Sequence, residues 1–263
     1  TWHYVVAGGF SEWDKGGFLP SDSDEKIYDL LDGCSAQVPQ SQQLYSHTLF
    51  PVEVKMKDEV SSQNLDFENA VKKRYNEFQK QKIIPLDKAQ KEPVSFSEKI
   101  EYAVCVFEQG EYKKAEKLFS ELVAEQENSA LANAYYGSCL AIRGGNSNVF
   151  AAMKFVKQAF VCLDKAVFLC AGSDDEMEVL LNRANVASSV PESVFKKSAV
   201  AGADFERIAE LYKSCANFDK DSDEKKTTLA YYYVCAAENF RKAGRETDAK
   251  RNAWYAEKIF QKK

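Results

Sequence analysis

Histidine, methionine, tryptophan, proline and glycine are all scarce in this chain of 263 residues, which holds 2 His, 3 Met, 3 Trp, 6 Pro and 12 Gly. So little Gly and Pro excludes a collagen-like chain, and 45% hydrophobic with 29% charged residues excludes wholly disordered and coiled-coil-only chains. No run of about 18 uncharged apolar residues occurs, so no segment reads as a membrane-spanning helix. An excess of base is also missing. The 35 Lys and Arg face 40 Asp and Glu, and a net charge of -5 provides no general basic field to hold nucleic acid or anionic lipid. The length allows one large domain or two small ones, and buries enough surface to fold without metal or disulfide.

The signatures of catalysis are missing too. His3 and His47 stand without HExxH spacing and without a Cys/His cluster, so no metal site is expected. The seven cysteines form no CxxC pair, and six lie in apolar helical stretches, where they read as small buried side chains with free thiols. Free thiols fit a reducing cytoplasm or an exported protein from an organism that makes few disulfides. The chain opens at Thr1 without Met, which reads as a processed or trimmed product, a periplasmic protein or lipoprotein among the alternatives. Gly8-Gly9-Phe10 and Gly16-Gly17-Phe18 flank Trp13, but lack the Lys-Ser/Thr of a phosphate loop; they read as an aromatic loop packing on its own domain or on a partner. The acidic run from Asp219 to Glu224 fails as a calcium loop, because Glu224 and Ala230 stand where Gly and Glu are needed, and reads as a helix start. No enzyme activity and no cofactor is expected.

What is present is helical periodicity. Residues 1–63 read as an irregular arm, with short extended segments at 4–7 and 50–56 and a capped turn near 23–31. Residues 64–95 read as a helix and a linker: Phe67, Ala70, Val71, Tyr75 and Phe78 recur at helical steps from 64 to about 81, and Pro85 stops them. In 96–263 a repeat emerges. Gly110, Gly144 and Gly244 sit between apolar helical stretches where hairpin turns are needed, with Ala103, Gly137 and Ala237 seven residues before them. Beyond them, Ala115, Phe119 and Leu122 match Ala249, Ala253 and Ala256. Small residues at these offsets let antiparallel helices approach closely. Between Gly144 and Gly244 the spacing leaves room for two more hairpins, including a segment from Pro191 to about Cys215 that bends or breaks near Gly202.

This pattern resembles the tetratricopeptide repeat, most closely through Phe107-Glu108-Gln109-Gly110-Glu111-Tyr112-Lys113-Lys114-Ala115. The family's units would fall at 96–129, 130 to about 166, and 230–263, although its first-helix Trp is replaced by Lys99, Asn133 and Tyr233. The resemblance implies an all-α superhelix, a solenoid of four or five hairpins. It implies a concave binding face at Ile100, Val104 and Glu108 in the first unit, Leu131, Ser138 and Ile142 in the second, and Tyr231, Glu238 and Arg241 in the last. Asn and Lys, which clamp a partner's terminal carboxylate in some relatives, are nearly absent from these positions. The groove therefore reads as apolar, suited to an amphipathic helix, an apolar segment, or the chain's own N-terminal region. The expected function is a protein-interaction module, an exported subunit of a cell-envelope assembly among its settings, binding a protein or peptide and compatible with homo-oligomers; a binding component for a small or apolar ligand is the alternative. The basic run after Phe240 reads as a solvated face of a terminal helix, or as a site for an acidic partner.

Overall fold

The computed structural model describes residues 62–80, 95–215, 218–219 and 222–261. The expectations for the N-terminal arm and for the linker lie outside these residues. Among the described residues every regular element is a helix: α1 Ser62–Lys80, α2 Phe96–Glu108, α3 Tyr112–Glu125, α4 Ala130–Gly145, α5 Val149–Cys170, α6 Glu176–Ser189, α7 Glu192–Phe195, α8 Ser198–Ser214, α9 Asp223–Lys242 and α10 Glu246–Phe260. Helices α2 and α3, α4 and α5, α6 and α8, and α9 and α10 pack as hairpins. Each hairpin meets the next, through α3 on α4, α4 and α5 on α6, and α8 on α9.

Local chemistry sets the helix starts. Ser95 accepts from the Glu98 amide at 3.2 Å while Glu98 accepts from the Ser95 amide at 2.8 Å, a reciprocal box that satisfies two free N–H groups. Ser129, Asn148 and Ser222 cap α4, α5 and α9 in the simpler way. Acids open α9 and bases close it, so its charges complement the helix dipole.

The small residues do the close packing. Ala103, Ala115, Ala237 and Ala249 are fully buried between paired helices, beside large side chains such as Phe119 and Phe240. A Cβ on Gly137 would lie 2.8 Å from Leu163 Cγ and 2.9 Å from the Ala159 carbonyl, so only glycine lets α4 come this near to α5.

Four sequence expectations are revised. Gly110 and Gly244 do form turns, with φ of +80° and +74° in the left-handed region that glycine tolerates. Gly144 does not: it is helical and buried, with Val156 Cγ2 at 3.3 Å from where its Cβ would stand, and the turn follows Gly145. The stretch between the second and last hairpins holds one hairpin rather than two, lengthened by the short α7. Its break falls at Lys196, left-handed at φ 51°, and not at Gly202. Gly202 is buried inside α8, where a Cβ would stand 2.8 Å from the Phe240 ring. The last hairpin also starts earlier than the repeat frame placed it, at Asp223.

Candidate functional site

Among the described residues, helix α1 meets a partner far away in sequence. It lies on α9 of the last hairpin. Its apolar positions explain the contact in part: Val71 is buried in the core that α8, α9 and α10 share, and Phe67 meets Phe260 edge to face at 6.0 Å. Charge and aromatic contacts do the rest. Arg241 holds Glu68 with Nη2–Oε1 at 2.9 Å, Lys72 pairs with Glu238, and Arg74 pairs with Asp223. The Tyr75 ring stacks on Tyr231 with centroids 3.7 Å apart and interplanar angle 6°. Tyr231, Glu238 and Arg241 are thus brought together under one amphipathic helix.

Electrostatics hold this patch in defined states. Burial alone would raise the Glu238 carboxyl, but the Lys72 ammonium, joined by Lys242, brings it below its ordinary value of 4.5. Burial pushes the hydroxyls of Tyr75, Tyr231 and Tyr232 upward, which keeps the aromatic cluster neutral. It also pushes the Cys235 thiol up to about 11, so this buried sulfur is no reactive thiolate at neutral pH.

On the second hairpin the corresponding face is covered by a different helix. Leu131, Tyr135 and Ser138 stand thirteen, nine and six residues before Gly144, the offsets of Tyr231, Cys235 and Glu238 from Gly244. Helix α6 sits there: Ser138 donates to Asn182 Oδ1 at 2.7 Å, Tyr135 donates to Glu178 at 2.6 Å, and Leu131 packs against the cluster of Ala134, Ala166, Cys170 and Val179. Rising numbers on α4 meet rising numbers on α6, so the two run parallel. On α9 rising numbers meet falling numbers of α1, so that pair is antiparallel. The register is shared and the direction reversed.

The remaining expected positions are spread out. Ile100 and Val104 pack against the core of α2, α3 and α4, and Glu108 is exposed at the end of α2. Ile142 borders a cavity of about 670 Å³ framed by the ends of α4 and α6, the start of α5 and α7, with Met153, Val156, Val186, Val190 and Phe195 in its walls. A larger hollow between α3 and α4 is charged, and several of its groups pair with one another, Arg143 with Glu116 at 2.7 Å and Lys114 with Glu111 at 3.9 Å. Several bases of the last hairpin's basic run are paired as well: Arg241 with Glu68, Lys242 with Glu238, and Arg251 with Glu206 and Asp248.

Sequence reasoning missed Glu68, Lys72, Glu178 and Asn182. Glu68 and Lys72, four residues apart, carry the pattern of a local pair on one helix face. The structure turns both toward α9 instead. Among the described residues no group of His, Cys, Asp and Glu side chains has the arrangement to hold a metal ion, and no helix is long and apolar enough to cross a membrane. No family model, no curated protein and no solved structure matches the chain.

Proposed function

We propose that the chain is a protein-interaction module that recognises an amphipathic helical segment of a partner protein, with hairpins related in pattern to the tetratricopeptide repeat. The observation that carries this reading is α1 on α9, where the chain binds such a helix within itself. Apolar burial at Val71, an aromatic stack at Tyr231 and charge pairs at Glu238 and Arg241 are the ingredients of helix-in-groove recognition. The test is selection from a display library of helical peptides on the full chain. Amphipathic helices enriched over scrambled versions, with micromolar affinity, support the reading. No enrichment of any helical peptide overturns it.

A second reading has its own observation. The cavity beside Ile142, about 670 Å³ with mostly apolar walls, falls in the range of small-ligand sites, and Ser138 and Asn182 add a polar pair to its lining. A binding component for an apolar small molecule would carry that molecule through purification. Native mass spectrometry of the wild-type chain and of Ile142→Glu decides: a bound mass lost in the variant favours this reading, and a bare chain in both removes it.

A further inference from the structure

The two helices that rest on first helices differ in how they are held. Helix α6 follows α4 and α5 closely in sequence and buries Val179, Leu180, Asn182, Ala184, Val186 and Ala187. Helix α1 buries Val71 and Glu68 among its described side chains. The rest of its grip is half-buried or at the rim: Phe67 and Tyr75 pack on Phe260 and Tyr231, while Lys72 and Glu238 keep about a third of their surface in water, and Arg74 and Asp223 about half. Such pairs are screened and weak one by one. Helix α9, by contrast, has anchors besides α1: α8 and α10 flank it, Gly202 seats Phe240, and Arg251 ties α10 to Glu206 of α8.

We infer that α1 is an exchangeable occupant. The face of α9 marked by Asp223, Tyr231, Glu238 and Arg241 is a docking site for a partner protein's helix, and α1 holds that site until the partner arrives. The inference rests on the helix-binding reading above and names the site and the chemistry of its ligand. Complementary charge defines that ligand: an acid opposite Arg241, a base four residues later opposite Glu238, and an aromatic three residues beyond to stack on Tyr231, as Glu68, Lys72 and Tyr75 do in α1. Direction is specified too. A helix laid the other way would bring its counterpart of Arg74 toward Arg241 and its counterpart of Glu68 toward Asp223, two like-charge meetings that reject the reversed orientation.

The test uses the full chain and, as probe, a fluorescein-labelled synthetic peptide of residues 62–80. A chain with α1 loosened by Val71→Ser and Tyr75→Ala is expected to bind the probe at least tenfold more tightly than wild type. Adding Arg241→Glu to the loosened chain should remove that gain, and a probe carrying Glu68→Arg should restore it. Equal binding by wild-type and loosened chains overturns the inference, as does unfolding of the loosened chain, which would make α1 part of the core. Amide hydrogen exchange on the unmodified protein decides independently of any variant. Amides of α1 should exchange at least a hundredfold faster than those of Tyr232 to Phe240 in α9, and equal protection overturns the inference. Should α1 prove fixed while helical peptides still bind elsewhere on the chain, the exchange is refuted and the helix-binding reading stands.

Discussion

Glu68 and Arg241 are 173 residues apart in sequence and share two hydrogen bonds, at 2.9 and 3.4 Å, with the Glu68 side chain only 7% exposed. A carboxylate so far from water needs its guanidinium, while Arg241 still reaches solvent. Glu68→Gln and Arg241→Ala are each expected to weaken the docking of α1 by about 1–2 kcal/mol, the low side for a pair with one buried member. Together they should cost less than the sum, with a coupling of about 1 kcal/mol. Amide exchange in α1 across the four proteins of the double-mutant cycle measures it, and additive effects would show that the pair does not hold the helix.

Two glycines of α4 should respond in opposite ways to the same change. Gly137→Ala pushes a methyl group against Leu163 and the Ala159 carbonyl, and should lower stability by about 1–3 kcal/mol despite the better helix propensity of alanine. Gly145→Ala meets nothing within 4 Å and should raise stability by about 0.5–1 kcal/mol. Urea unfolding of the two variants reads both signs.

Ala115 and Ala249 are buried at equivalent crossings of the first and last hairpins. Replacing either with Leu should cost about 1–3 kcal/mol through overpacking. Thermal melting checks this, and unchanged midpoints would mean that these crossings have slack.

Acid should loosen α1 before it unfolds the hairpins. The Glu238 carboxyl is held below its ordinary 4.5 by Lys72 and Lys242 against the opposing effect of burial. A depressed folded-state pKa stabilises docking above the ordinary value, and that contribution fades as pH falls through the lower, folded-state value. Exchange in α1 should therefore speed up below about pH 4.5 relative to α9, and Glu238→Gln should remove this step.

Much of the architecture was legible for identifiable reasons. Phe67, Val71 and Tyr75 announce α1 by periodicity, and Gly110 and Gly244 announce their turns because a left-handed residue favours glycine. The third hairpin was obscure because its left-handed break is at Lys196, a residue type that gives no such sign. Gly144 and Gly202 misled in the same manner: glycine serves both tight turns and close helix approach, and here both serve approach. Tyr231, Glu238 and Arg241 were legible as positions of the concave face expected on the last hairpin. Their occupant was not, since nothing local in 62–80 indicates that Glu68 pairs across 173 residues. Ser138 sits beneath α6, bonded to Asn182, because the face it shares with Leu131 meets the next hairpin.

The seating of α1 on α9 also fixes an order of events at the ribosome. Helix α1 is complete at Lys80, but Glu238 and Arg241 are added about 160 residues later, which at roughly 5–20 residues per second is on the order of ten to thirty seconds. During that interval the nascent helix lacks the face on which it docks. Its composition suits the wait: Asp66, Glu68, Lys72, Lys73, Arg74, Glu77 and Lys80 keep most of its surface hydrated, and Val71 is the single apolar side chain that ends fully sequestered. A greasier helix would grip α9 harder once the chain was finished, and would be a target for chaperones and for neighbouring nascent chains until then.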